Sequence, residues 1–280
     1  MELITPLLGG GVEPRKCDPI TVIRTSAIRG HLRMWWRSFQ SPQIGVDGLK
    51  RREDEVWGCT TNPSPVVISC ESNSAGRVLR TNEIQELGIA GHNRLFPIQV
   101  GDQTQVRAEV KFTLQLRYPH ELEQDVRMAL RYWLNFGGLG SRSRRGAGAV
   151  FSEAYAFEKR DRIPPAFPNF QNPQAWPQIG QRVLIHPAAE TAGLAWRRSI
   201  DTYRQFRQGL DENTSTAELG SIQPRRISPM ILRPIRFQNG ATHAGMFLLN
   251  VASGPGDSLR RGVWDHFQLQ ASGFQAVRLV

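Results

Sequence analysis

Between Val106 and Phe136 the hydrophobic period changes once, from two residues to 3.6, and that change confines the chain to folds in which a helix returns across a half-wet sheet. In VRAEVKFTLQLRY (106–118), Val110, Phe112, Leu114, Leu116 and Tyr118 alternate with Lys111, Thr113, Gln115 and Arg117, which predicts a strand with one apolar and one polar face. From about Glu121 to Phe136 the apolar positions become Leu122, Val126, Ala129, Leu130 and Trp133, the stripe of an amphipathic helix. Glu121 and Glu123 stand near its positive end, where carboxylates are favoured. A glycine-rich run follows, and AVFSEAYAFE (149–158) alternates again as a strand.

The residues before this unit supply its other half. MELITPLLGGG reads as a strand, Glu2 to Leu7, entering a turn at Gly9 to Gly11. An extended approach over Ile20 to Arg24 leads to the helix SAIRGHLRMWWRSF, with Thr25 or Ser26 as cap. At 100 degrees per residue, Ile28, Leu32, Trp35 and Phe39 fall within about 60 degrees of one another, while Arg29, Arg33, Trp36 and Arg37 lie roughly 80 to 180 degrees round. One face packs and the other is basic. Pro42 closes the helix, 43–64 is polar and turn-rich, VVISC (66–70) is a short buried strand, and 71–103 is loop-rich. The resulting order over 1–160 is strand, helix, strand, strand, helix, glycine loop, strand, the order of a ferredoxin-like α+β domain.

Residues 161–193, rich in proline, asparagine and glutamine, read as a connector. Beyond them come a helix from about Leu194 to Phe206, strands at 227–237 and 244–252, a short helix near Leu259 to Phe267, and a last strand, FQAVRLV. This is a second, divergent α+β domain over 194–280. One large sheet spanning the whole chain fits the same pattern.

Charge narrows the partners. Thirty-five Lys and Arg against 25 Asp and Glu give +10, and most of the excess is arginine, whose guanidinium forks onto phosphate oxygens and stacks on bases. Cys17, Cys59 and Cys70 show no CxxC spacing and read as reduced thiols or small core residues. His31, His92, His120, His186, His243 and His266 are scattered without metal spacing, and no paired acids suggest a two-metal nuclease. No metal and no cofactor are therefore expected. The chain shows no run of eighteen apolar residues and no secretory opening, which leaves a soluble protein of the cytoplasm with no membrane partner.

The glycine run GGLGSRSRRGAGAV (137–150) contains Arg142, Arg144 and Arg145 and no acid. It follows a helix and precedes a strand, the reverse of a dinucleotide fingerprint, and no Lys-Ser or Lys-Thr closes it as a Walker loop. Two readings remain open. Its backbone N–H groups can form a nest for phosphate beside the arginines, or the glycines only permit tight packing over the sheet. The face Arg29, Arg33 and Arg37, with Trp36 exposed beside it to stack on a base, would extend a basic groove, whereas Trp35 is core. A metal-free ribonuclease needs only a histidine and a lysine or tyrosine near a 2′-hydroxyl, so His31 and His92 are the candidates for cutting.

TPLLGGG (5–11), TSAIRGHLRMWWRSF (25–39), FGGLGSRSRRGAGAV (136–150) and RRISPMILRP (225–234) together resemble the RAMP superfamily of CRISPR-associated proteins. Within it they are most similar to the first-named RAMP subunit of the type III-B, or Cmr, RNA-targeting effector complex. The resemblance implies two RRM-like, ferredoxin-like halves packed together. It also implies a non-catalytic subunit that binds single-stranded RNA, target and guide, beside other RAMP subunits, and helps engage the target near the guide's 3′ part. Carried onto this chain, the helix positions are Ile28, Arg29, Gly30, Leu32, Arg33, Trp35, Trp36 and Arg37, and the loop positions are Gly138, Gly140, Arg142, Arg144, Arg145, Gly146 and Gly148. Arg225, Arg226 and Arg233 would lie near an interdomain cleft. The short first strand and the lean stretch 41–105 depart from the family pattern. A metal-independent guide-processing endoribonuclease and a purely structural subunit, its arginines facing protein carboxylates, are the alternatives.

Overall fold

A computed structural model describes residues 1–40, 44, 46–92, 96–101, 103–158, 178–210, 219, 228–250 and 275–278. The strands are β1 Glu2–Leu3, β2 Leu7–Leu8, β3 Val67–Ser74, β4 Arg77–Val78, β5 Ala90–Gly91, β6 Ile98–Gln99, β7 Val106–Ala108, β8 Lys111–Arg117, β9 Val150–Phe151, β10 Gln178–Ala189, β11 Met230–Arg236, β12 Thr242–Asn250 and β13 Gln275–Arg278. Among the described residues the α-helices are α1 Thr25–Gln40, α2 Val46–Trp57, α3 Thr81–Glu86, α4 Glu123–Phe136 and α5 Ala192–Gln208.

The first sheet runs β3-β8-β1-β9, with every neighbouring pair antiparallel. Taken in chain order with α1 and α4 as crossovers, this is the 2-3-1-4 ferredoxin-like arrangement. Phe112 on β8 and the stripes of α1 (Ile28, Leu32, Trp35) and α4 (Val126, Leu130, Trp133) close one core. The opposite face of β8, Lys111, Thr113, Gln115 and Arg117, is exposed.

The chain leaves this sheet twice. Glu109, in a left-handed conformation (φ 62°), breaks the expected single strand 106–118 into β7 and β8. Similarly, residues 4–6 divide the expected strand 2–7 into β1 and β2. The detached pieces form a three-stranded sheet, β2-β7-β4. Thr5 compensates for the lost ladder: its buried hydroxyl donates to Gly146 O (2.7 Å) and accepts from Ala149 N (2.8 Å).

The third large element is the sheet β11-β12-β10-β13, whose strands, again in chain order, fall in the same 2-3-1-4 arrangement with α5 as its first crossover. Its two faces go to different cores. Val183, Ile185, Ile231, Ile235, Phe247 and Leu249 join α1 and α4, and Phe247 meets Phe136 (4.9 Å between ring centroids) and Trp35 (6.3 Å). Leu184, Leu232 and Met246 instead pack with Ala195, Trp196, Ile200 and Tyr203 of α5. The layers are therefore sheet, helix pair, sheet, helix, and β11 is buried on both faces.

Several expectations change. The connector assigned to 161–193 contains β10, a central strand of the second large sheet. The turn-rich stretch 43–64 contains α2, and the loop-rich one holds α3 and short strands. In 149–158 only Val150–Phe151 is strand. α1 begins at Thr25, with Arg24 O accepting from Ala27 N and Ile28 N. The strands resolve into four sheets among the described residues rather than one. The helix expected near 259–267 lies outside the described residues.

Candidate nucleic-acid interface

The two glycine motifs, TPLLGGG and the 137–148 loop, meet. Ser141 N and Oγ both donate to Leu8 O (2.9 and 2.7 Å), Gly148 N to Pro6 O (2.8 Å), and Leu139 N to Gly148 O (2.9 Å). A Cβ on Gly10 would stand 3.0 Å from Gly140 Cα, and one on Gly148 (φ 60°) 2.1 Å from Leu139 O. Gly138 is closed in by Ala147 O, and Gly146 (φ 86°) faces the Trp196 indole. The glycines at 138, 146 and 148 are thus required by internal contact. The tight-packing reading explains them.

The loop's arginines divide. Arg144 donates to Ser228 O (2.9 Å), and burial, followed by the neighbouring Arg145 charge, holds it below its ordinary pKa. Arg145 lies 4.6 Å over the Tyr203 ring, and its carbonyl accepts from Trp196 Nε1 (2.5 Å). Burial pushes the Tyr203 phenol up, but Arg145 and Arg207 outweigh it, so its pKa is lowered. Arg144 and Arg145 clasp the α5 side of the molecule. Arg142, left-handed at φ 61°, is exposed and meets no carboxylate among the described residues. Its neighbour Ser141 is exposed too, as is Gly10, which packs against Gly140, and Arg24 Nη2 caps the Gly10 carbonyl (2.8 Å). Thr25 and Ser26, which follow Arg24 at the start of α1, are exposed as well.

The basic face of α1 requires corrections. Trp36 is fully buried and its Nε1 donates to Asp125 (2.7 Å), so it offers no stacking surface; the packing of α4 beside α1 covers it. Arg33 Nε (2.6 Å) and Arg37 Nε (2.6 Å) both donate to Glu53, a buried carboxylate on α2. Burial would raise the Glu53 pKa, yet Arg37 and Arg33 together lower it, so it stays ionised between them. Arg29 Nη2 donates to Val66 O (2.9 Å). Nor is Arg233 at an open cleft. It is 2 % exposed on β11, donates to Leu134 O and to Val150 O (2.5 Å), and burial lowers its pKa to about 9. It ties the second large sheet to α4 and β9. Arg225 and Arg226 lie outside the described residues.

His31 stacks on Trp133 (6.3 Å between centroids, 12° between planes), and burial lowers its pKa to about 4. Among the described residues no group of three or more His, Cys, Asp or Glu could hold a metal ion, and no helix is long and apolar enough to cross a membrane.

Paired glycine turns on a ferredoxin-like sheet define a class, and residues 1–151 match the model of the RAMP superfamily: the chain belongs to that superfamily. It is similar to the CRISPR system Cmr subunit Cmr1-2 of Pyrococcus furiosus, at 25% identity over 174 residues that cover 54% of this chain and 91% of that protein. The fold is similar to that of the Cmr1 crystal structure from Pyrococcus furiosus in its apo form (TM-score 0.62, 17% identity, 91% of this chain and 88% of that one). It is also similar to a chain in the cryo-EM structure of the type III-B Cmr-beta bound to cognate target RNA (TM-score 0.56, 10% identity, 94% and 96%).

Proposed function

We propose that this chain is a non-catalytic RNA-binding subunit of a type III-B Cmr effector complex, which helps engage target RNA near the 3′ part of the guide, beside other RAMP subunits. In this reading the sheets β3-β8-β1-β9 and β11-β12-β10-β13, each with its helices, belong to two ferredoxin-like halves packed as a pair. The observation that carries it is the seam where the two glycine turns meet, beside which the exposed Arg142 guanidinium meets no carboxylate among the described residues. A sugar-phosphate strand can approach such a surface closely, and its charge meets an arginine with no carboxylate to displace. Sequence selection would come from pairing to the guide rather than from base contacts by the protein. A binding rather than a cutting role is supported by His31, which at about 4 is too weak a base to take a 2′-hydroxyl proton near neutrality.

The test is fluorescence anisotropy of labelled single-stranded RNA across a salt series. R142A should weaken binding by about three- to tenfold and reduce the salt slope by roughly 0.7, as expected for one lost phosphate contact on a single strand. Its thermal midpoint should stay that of the wild type. R144A/R145A, in contrast, should lose stability. An R142A variant that binds as the wild type does, or a wild type that binds no RNA alone or with its Cmr partners, would refute the proposal.

A further inference from the structure

Beside the basic face of α1 runs an open groove of about 770 Å³, bordered by α1, α2 and residues 58–68. Arg29, Arg33 and Lys50 line it; Arg33 is already paired with Glu53, and Asp54 is the one carboxylate among the lining residues. Lys50 is itself highly exposed and only loosely held by Asp54 (3.6 Å).

Two further donors at this groove lack acceptors. Trp57, which lines it, is 1 % exposed, and its Nε1 has no hydrogen-bond partner. Arg29 uses Nη2 on Val66 O, while its Nη1 is buried and also without a partner. Burial first, and then the Arg33 charge, hold Arg29 below its ordinary pKa, the direction expected of a cation that lacks a counter-ion. Buried donors are ordinarily satisfied, and exceptions of this kind ask for a ligand acceptor.

We infer that this groove binds a phosphodiester of single-stranded RNA, with Lys50 balancing its charge, Arg29 and the Trp57 indole donating to its oxygens, and half-exposed Val67 flanking the sugar. The unsatisfied groups here are donors. A phosphodiester brings acceptors alone, whereas an acidic peptide would bring a backbone donor with every residue. The aromatic residue of the basic face is then Trp57, not Trp36. This inference rests on the RNA-binding reading above, and it adds a second contact at a distance in sequence from the Arg142 seam.

The full chain is titrated against a fluorescein-labelled 12-nucleotide RNA over a salt series, as wild type, K50A and W57F, with thermal midpoints recorded alongside. K50A should bind at least threefold more weakly with a salt slope smaller by roughly 0.7, and W57F should bind more weakly at an unchanged slope. Wild-type affinity and slope in K50A, with the wild type binding RNA, would overturn the groove and leave the Arg142 reading standing. Absence of RNA binding by the wild type, both alone and with its Cmr partners, would overturn both. If W57F fails to fold, K50A decides. Binding of polyglutamate that depends on Lys50, where RNA binding does not, would overturn the inference in favour of an acidic protein partner.

Discussion

Replacing His31 by Phe removes a measurable share of the protein's acid sensitivity. The ring of His31 is packed against Trp133, and burial lowers its pKa from 6.5 to about 4. As pH falls through 6.5 the unfolded chain takes up a proton that the folded chain refuses until about 4. Stability tied to this residue is therefore fully present above 6.5 and is lost across that window. The interval corresponds to about 3.4 kcal/mol in the limit below both values, and to about 2 kcal/mol by pH 5. Phe keeps an aromatic ring on Trp133 and cannot be protonated. Urea unfolding followed by tryptophan fluorescence at pH 7, 6 and 5 should show the wild type losing about 2 kcal/mol more than H31F over that range. Acidic groups common to both proteins cancel in the difference. Parallel stability profiles would refute the buried, neutral imidazole, and with it the argument that His31 is a poor proton acceptor. RNA cleavage by the wild type that H31F lacks would refute it independently.

Other perturbations follow from particular contacts. E53A leaves Arg33 and Arg37 partly buried without their shared carboxylate and should lower stability by about 1–3 kcal/mol, less than a fully buried pair because both guanidinium groups reach water; thermal unfolding checks it, and an unchanged midpoint would mean the triad is only a surface pair. Two glycines should respond with opposite signs. At Gly30, exposed within α1 with nothing within 4 Å of an added Cβ, G30A should stabilise by about 0.5–1 kcal/mol. At Gly148, where φ is 60° and the added Cβ would meet Leu139 O at 2.1 Å, G148A should destabilise by several-fold more, at about 3 kcal/mol or above; equal midpoints for the two variants would overturn the packing account of the loop.

Much of the first sheet was legible because its elements obey simple periods: α1, α4 and β8 each place one apolar face toward one core. The pattern failed where a side chain broke the code for a local reason. In α2 the inward stripe is Leu49, Glu53, Val56 and Trp57, and a carboxylate in a core position hides a helix from hydrophobic periodicity. Glu53 is tolerated there only because Arg33 and Arg37, distant in sequence, neutralise it. Trp36 looked exposed because a helical wheel assumes one buried side, whereas α1 is covered by α4 as well as by the sheet. β10 was lost in a polar, proline-bearing context, and its centrality depends on partners 50 to 100 residues further on. Of the candidate site, the meeting of the glycine motifs was not visible, since no spacing rule links Gly10 to Gly140. The arginines were found by composition, but which face solvent is a matter of packing: Arg142 does, Arg144 and Arg145 are partly covered, and Arg233 is enclosed.

The helix pair α1 and α4, held between two sheets, also sets the order of events during synthesis. When residue 158 leaves the ribosome, the first sheet and its helices can form, yet the side of that pair later covered by Phe247, Ile231 and Ile235 is still bare. At ~5–20 residues per second, roughly five to twenty seconds pass before β12 has been made. During that interval the nascent chain presents an apolar surface containing Trp35 and Phe136, so a fragment ending near residue 158 should be a client for chaperones rather than a stable domain. On this reasoning the residues that match the superfamily model, 1–151, should not fold stably by themselves.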